Sequence, residues 1–303
     1  VGEDRHLGVL LVGFGGPESI DEVPAFVRSV LGREPPEHII PSAIGRYTTI
    51  GGGSPLPATT RRQAVLVTEE LSRRGLDADV YVGMLHARPT IDEAVARIAA
   101  EGIDDLIVVS LAPYRCEVST DAYEAAVEKA LDGREPRLHF APDWNVEPGY
   151  INALVGMLAE ALASTPGDTP VIFSAHSLPH RMIDQGDPYA DQLAATAGKI
   201  AERLGLSDWQ LAYQSVSGAA REPWLGPSVT EVMERLAGDG ATAVLVDPIG
   251  FIADHVETLY DNDVEHQAQA EALGLSFHRC RCLNDHPGLI ETLADLVIAA
   301  ARG

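Results

Sequence analysis

Residues 243–265 read AVLVDPIGFIADHVETLYDNDVE, and their reading decides how the chain is built. Ala243–Ile252 is dominated by Val, Ile and Leu, the signature of a strand buried on both faces. Behind it, His255 is followed by Glu257, Asp261 and Glu265, the three carboxylates at i, i+4 steps. On an α-helix these carboxylates share one face about 5–6 Å from their neighbours, where like charges cost stability. A stripe of that kind is either fully solvated or holds a cation. It begins at a strand's carboxyl end, where open α/β folds bind ligands.

The same alternation runs outward in both directions. Upstream, strand-like runs at Leu7–Phe14, Val80–Met84, Leu106–Leu111 and Arg137–Phe140 are separated by helical periodicity at Ile20–Val30, Thr60–Arg74, Ile91–Ala100 and Asp121–Leu131. Downstream of residue 148, strands at Val171–Ser174, Trp209–Gln214, Ala243–Pro248 and Ser276–Cys282 alternate with helices at Tyr150–Leu162, Asp191–Leu204 and Ser228–Ala237, and Pro287–Ala300 closes the chain. Continuous apolar strands linked by helices form parallel sheets covered on both faces. The expected fold is α/β: two doubly wound, Rossmann-like domains of the chelatase type, at 1–148 and 149–303, with a cleft between them. The polar, Pro-containing Ala141–Gly149 marks the boundary, and the terminal helix is free to pack back on the first domain.

A chain of 303 residues with 46% hydrophobic content suits two packed cores. A net charge of −23 excludes the clustered Lys and Arg that neutralise nucleic-acid phosphates. No apolar run reaches the ~18 residues of a membrane span, and the opening VGEDRH lacks the layout of a signal peptide. The reading is a cytoplasmic monomer. Three cysteines, Cys116, Cys280 and Cys282, are too few for a disulfide framework.

Three further stretches carry chemistry. In Phe173–Pro179 (FSAHSLP), His176 stands at the carboxyl end of a buried strand among small residues. A lone histidine is more often satisfied by its loop, but the strand end favours a functional one. Ser177 lacks the G-x-S-x-G elbow of a hydrolase. Ile50–Leu56 (IGGGSPL) lets backbone approach a flat or anionic ligand, or else forms a tight turn. Neither it nor Gly13–Gly16 (GFGG) completes a phosphate-binding pattern, so no nucleotide is expected.

The segments LLVGFGGPES, RYTTIGGGSPL, FSAHSLP, GDPYADQ, YQSVSG, PWLGPS and PIGFIADHVETLYDND follow one another in the order and spacing of ferrochelatases, and the chain resembles that family over almost its whole length. The resemblance implies insertion of ferrous iron, as substrate, into a porphyrin in haem biosynthesis. It implies that His176 and Glu257 are catalytic, and that His176, Glu257, Asp261 and Glu265 handle the metal. Arg46 and Ser54 match propionate contacts of bacterial monomeric members; Phe14, Arg33 and His86 complete the expected substrate-binding set. Phe14 stands where members often carry Tyr or Met, and its phenyl ring cannot ligate iron. Val30 and Leu31 replace a basic pair of some relatives.

By the same resemblance the substrate is coproporphyrin III. Protoporphyrin IX, cobalt or iron insertion into sirohydrochlorin (with His86 as second histidine), and a non-catalytic porphyrin-binding homologue are the alternatives. A downstream haem-pathway enzyme is an expected partner. Cys116 falls where some ferrochelatases place a ligand of a [2Fe–2S] cluster. Cys280 and Cys282, read as sharing a strand face with His278, supply either the remaining ligands or ordinary buried thiols.

Overall fold

The computed structural model describes residues 6–133, 136–216 and 222–302. Residues 1–5, and Ser217 and Gly218 of the YQSVSG segment, lie outside them. The chain divides into two compact units, residues 1–143 with 284–303, and residues 144–283.

In the first unit, β1 (Leu7–Gly13), α1 (Val23–Leu31), α2 (Ile39–Thr49), α3 (Leu56–Arg73), β2 (Asp79–Met84), α4 (Ile91–Glu101), β3 (Asp105–Ser110), α5 (Thr120–Leu131) and β4 (Arg137–Phe140) follow in order. The four strands form one parallel sheet, ordered β2-β1-β3-β4. Every residue of β1 is buried, as a central parallel strand requires. Leu10, Val12, Leu106 and Val108 pack beneath Ile91, Val95 and Ile98 of α4 and Val127 of α5. Thr90 and Glu93 cap α4 reciprocally, an arrangement worth about 1 kcal/mol. The terminal α12 (Pro287–Arg302) belongs to this unit, where Arg74 at the end of α3 pairs with its Asp295.

The second unit repeats the plan with α6 (Pro148–Ala163), β5 (Val171–His176), α7 (His180–Asp184), α8 (Tyr189–Leu204), β6 (Trp209–Gln214), α9 (Val229–Gly238), β7 (Ala243–Asp247), α10 (Val256–Leu259), α11 (Gln267–Ala272) and β8 (Ser276–Arg279). Its sheet is parallel and ordered β6-β5-β7-β8. Ile172, Ala212, Val244 and Val246 pack against Val229, Val232 and Met233 of α9. The chain leaves β5 to one side for β6 and returns across it to β7. The carboxyl ends of β5 and β7 therefore flank a switch point, where loops diverge and leave a crevice.

One helix is added to the sequence reading and two expectations change. Ile39–Thr49 is helical despite Pro41 and Gly45, because Pro41 falls in the first turn, where no donor is lost. The acidic segment is not one regular helix: α10 gives way to a π-helix at Asp261–His266 before α11. Strand β8 ends at Arg279, so Cys280 and Cys282 lie beyond it and do not share a pleated face with His278.

Candidate active site

His176 is the last residue of β5. Tyr189 Oη donates to its carbonyl oxygen at 3.0 Å, fixing the backbone from α8. From the other side of the switch point, Gly250 brings the loop after β7 against β5, its N–H donating to Ser174 O at 3.0 Å. A Cβ on Gly250 would stand 2.5 Å from that of Ala175. Only glycine permits the approach, and it delivers Glu257 to His176 across 81 residues of sequence. His176 Nδ1 and Glu257 Oε2 are 3.0 Å apart. The Glu257 carbonyl accepts from Gln214 Nε2 at 2.7 Å, and Gln214 Oε1 accepts from Ser174 Oγ at 2.9 Å, so the ends of β5 and β6 both hold the carboxylate's backbone.

The two side chains are partly open, His176 33% and Glu257 24% exposed. Burial presses the His176 imidazole toward its neutral form, but the charge and hydrogen bond of Glu257 outweigh that pressure and hold its pKa above the ordinary value. His255 Nε2 stands 3.8 Å from the same Glu257 oxygen, its ring tilted on Phe251 with centroids 4.8 Å apart. Burial, reinforced by His176, outweighs the carboxylates of Glu257 and Asp254 and keeps His255 below the ordinary value. A carboxylate thus stands between two imidazoles pushed in opposite directions, a base of raised affinity and one held neutral. By sequence alone His255 stands only at the head of the stripe. Its signal was an imidazole two residues before Glu257 where a helix begins.

The π-helix separates the rest of the stripe into two environments. Val264 and Glu265 both donate to Tyr260 O at 3.0 Å, the widened reach of a turn holding one extra residue. Asp261 is buried and accepts a hydrogen bond from Ser215 Oγ, whereas Glu265 is exposed. His266 is buried against Asn262 Oδ1 at 2.8 Å, and burial lowers its pKa to about 4. Among the described residues, no group of three or more His, Cys, Asp or Glu side chains is arranged to hold a metal ion. His176, Glu257, Asp261 and Glu265 offer separate oxygen and nitrogen donors, the hard and borderline ligands suited to ferrous iron.

The first unit collects aromatic and cationic groups. Phe14, just beyond β1, sets its ring edge-on to His86 at 4.6 Å and to Phe26 at 6.2 Å. His86 Nδ1 is 2.9 Å from Ser29 Oγ, and burial lowers its pKa. Arg33 is exposed after α1, while Arg46 lies half-buried on α2 beside buried Tyr47. Ser54 is buried, its N–H donating to Pro17 O at 2.7 Å. At Gly53 the glycine run serves a tight backbone crossing: a Cβ there would stand 2.2 Å from Glu18 O. The turn, not a ligand, accounts for that residue. Ser177 is fully buried and donates to Leu225 O at 2.8 Å, a structural use.

All three cysteines are buried and form no disulfide. Cys116 lies in the first unit, its Sγ 3.0 Å from Ser119 Oγ. In the second unit burial raises the pKa of both Cys280 and Cys282, and buried Asp247 raises Cys280 further. These surroundings favour the protonated thiol. His278, on β8, has a buried Nε2 with no hydrogen-bond partner.

The family model described as Ferrochelatase matches residues 6–301. The ferrochelatase of Deinococcus radiodurans is 39% identical over 302 residues, covering 97% of this chain and 95% of its own. The coproporphyrin III ferrochelatase of Anoxybacillus flavithermus is 34% identical, covering 98% and 97%. Among solved structures, SirB from Bacillus subtilis with Fe3+ superposes with a TM-score of 0.62 at 12% identity, covering 98% and 96%. CbiX, described as the terminal enzyme of sirohaem biosynthesis in denitrifying bacteria, gives 0.59 at 14% identity, covering 97% and 99%. The last two show that the two parallel sheets have the chelatase-type fold.

Proposed function

From the premise that this chain belongs to the ferrochelatase family, enzymes that insert metal into porphyrin, we propose that it converts coproporphyrin III and ferrous iron into iron coproporphyrin, with His176 and Glu257 as the catalytic pair. The observation that carries this reading is the 3.0 Å couple between His176 Nδ1 and Glu257 Oε2 at the switch point of the second sheet. Insertion replaces two pyrrole N–H bonds by bonds to one Fe2+, so two protons leave and no electron moves. Neutral His176 accepts a pyrrole proton, and the adjacent Glu257 carboxylate stabilises the imidazolium and passes the proton on. Asp261, held by Ser215, and exposed Glu265 extend the acceptor path along the widened turn.

The porphyrin's carboxylates require cations and its face requires apolar contact. Arg46 and Arg33 supply the first; Arg33 forms no ion pair among the described residues, which leaves its guanidinium available. Phe14, His86 and Ser54 supply shape and packing. Relatives named coproporphyrin III ferrochelatases align over nearly their full length, which supports the four-propionate substrate. No helix of the described residues is long and apolar enough to cross a membrane.

The test is anaerobic insertion of ferrous iron into coproporphyrin III and protoporphyrin IX in parallel. The expected result is a kcat/KM at least about tenfold higher for coproporphyrin III, the value of one propionate–arginine contact retained in the transition state. Preference for protoporphyrin IX would assign the other substrate. Turnover of sirohydrochlorin alone would overturn both.

A further inference from the structure

Arg279, the last residue of β8, has only 10% of its side chain exposed, yet it forms no part of the His176–Glu257 couple. Its guanidinium spans two carboxylates that flank Glu257 in sequence. Nη1 donates to Asp254 Oδ1 at 3.0 Å, while Nε and Nη2 donate to the two oxygens of Asp263 at 2.5 and 2.8 Å. Asp254 immediately precedes His255 and also accepts from Thr258 Oγ1 at 3.2 Å, so it belongs to the start of α10. Asp263 sits inside the π-helix. One buried cation therefore grips the segment on both sides of Glu257 and Asp261.

A π-turn is a strained insertion that persists only where its surroundings favour it. Relaxing it by one residue would rotate Asp263 by about 100° around the helix axis and take both its oxygens off the guanidinium. A planar, two-pronged contact reads register in this way; an ammonium group would follow the carboxylate round. Stability alone gives no reason for the arrangement, because buried ion pairs are often no more stabilising than apolar packing of the same volume.

Resting on the iron-insertion reading above, we propose that Arg279 is a positioning residue for the metal-handling carboxylates, locking the widened turn in the register that aims Glu257 at His176 and Asp261 at Ser215. The residues proposed to contact porphyrin lie in the first unit, so the clamp acts on the iron step and leaves porphyrin binding alone.

The experiment uses the full chain, with Arg279→Met (bulk kept, fork removed) and Arg279→Lys (charge kept, fork removed). Anaerobic kinetics with ferrous iron and coproporphyrin III are read beside amide hydrogen exchange. In R279M, kcat/KM for iron falls about tenfold or more, as for other groups that orient metal-handling side chains. KM for porphyrin stays within about twofold. R279K recovers only a minor part of the loss. Independently of turnover, the Val264 and Glu265 amides, which close the π-turn on Tyr260, exchange about tenfold faster in R279M. A folded R279M with iron kinetics within about twofold of wild type overturns the proposal, as do parallel rises in both KM values or full rescue by lysine. If R279M does not fold, Asp263→Asn, at a carboxylate 37% exposed, decides in its place. A loss of about threefold in iron kcat/KM supports the clamp and no change refutes it. A wild-type protein that inserts no iron would break the underlying reading, and the exchange measurement would still judge the clamp on its own.

Discussion

The two sheets of this protein have one topology and opposite chemistry. Each places its first strand between its second and third, giving β2-β1-β3-β4 and β6-β5-β7-β8. Each therefore has a switch point at the carboxyl ends of its first and third strands. In the first unit these ends carry Phe14 beyond β1 and Ser110 on β3, whose hydroxyl is satisfied by Thr120 at 2.9 Å. In the second unit they carry His176 on β5 and, on β7, Asp247, with a buried carboxyl oxygen that has no partner. Topology locates a crevice in both, and side chains alone distinguish an aromatic end, Phe14 beside His86, from one that carries a histidine–carboxylate couple.

The largest effect expected from breaking this asymmetry is at His176. His176→Ala lowers iron insertion about a thousandfold, the range of a lost general base. Porphyrin quenching of protein fluorescence and the melting temperature remain as in wild type. Substantial turnover in this variant would move the chemistry away from the second switch point.

A smaller effect follows from Asp247. Burial raises its pKa to about 7, although a hydrogen bond from Cys280 opposes the shift. Below about pH 4 the group is protonated whether folded or unfolded. As pH rises from about 4 to about 7 the unfolded chain alone ionises, and stability is lost across that window. Asp247→Asn escapes the loss, so urea unfolding shows it more stable than wild type by about 2–4 kcal/mol at pH 8. The gap shrinks at pH 5. An equal difference at both pH values would show that Asp247 is ionised in the native state or is stabilised otherwise.

Much of this molecule is legible before any coordinates. The central strands β1, β3, β5 and β7 announce themselves through apolar runs, because central parallel strands are buried on both faces. The less buried edge strands β4 (RLHF) and β8 (SFHR) carry no such run and are legible only from the alternation of strand and helix around them. The helix at Ile39–Thr49 is hidden by Pro41 and Gly45, residues that read as breakers until their positions in the helix are known. The stripe of Glu257, Asp261 and Glu265 is visible as a spacing, but its π-turn is not. One additional residue in a turn leaves no periodic mark in so short a segment. The encounter of His176 with Glu257 depends on a strand crossover and on the absent Cβ of Gly250, which spacing along the chain does not encode. Cys280 and Cys282 look like strand neighbours because alternation continues past the point where β8 loses its partner.

The central claim is that His176 receives the pyrrole proton with its basicity set by Glu257. Its most direct test is the pH dependence of kcat/KM for iron insertion in wild type and in Glu257→Gln. His176 must be neutral to accept a proton, so activity rises with pH through its pKa. In wild type that limb lies above the ordinary histidine value, because the carboxylate outweighs burial. Glutamine removes the charge and leaves burial, so the limb moves to lower pH while the maximal rate falls. A limb at the same pH in both proteins would contradict the account.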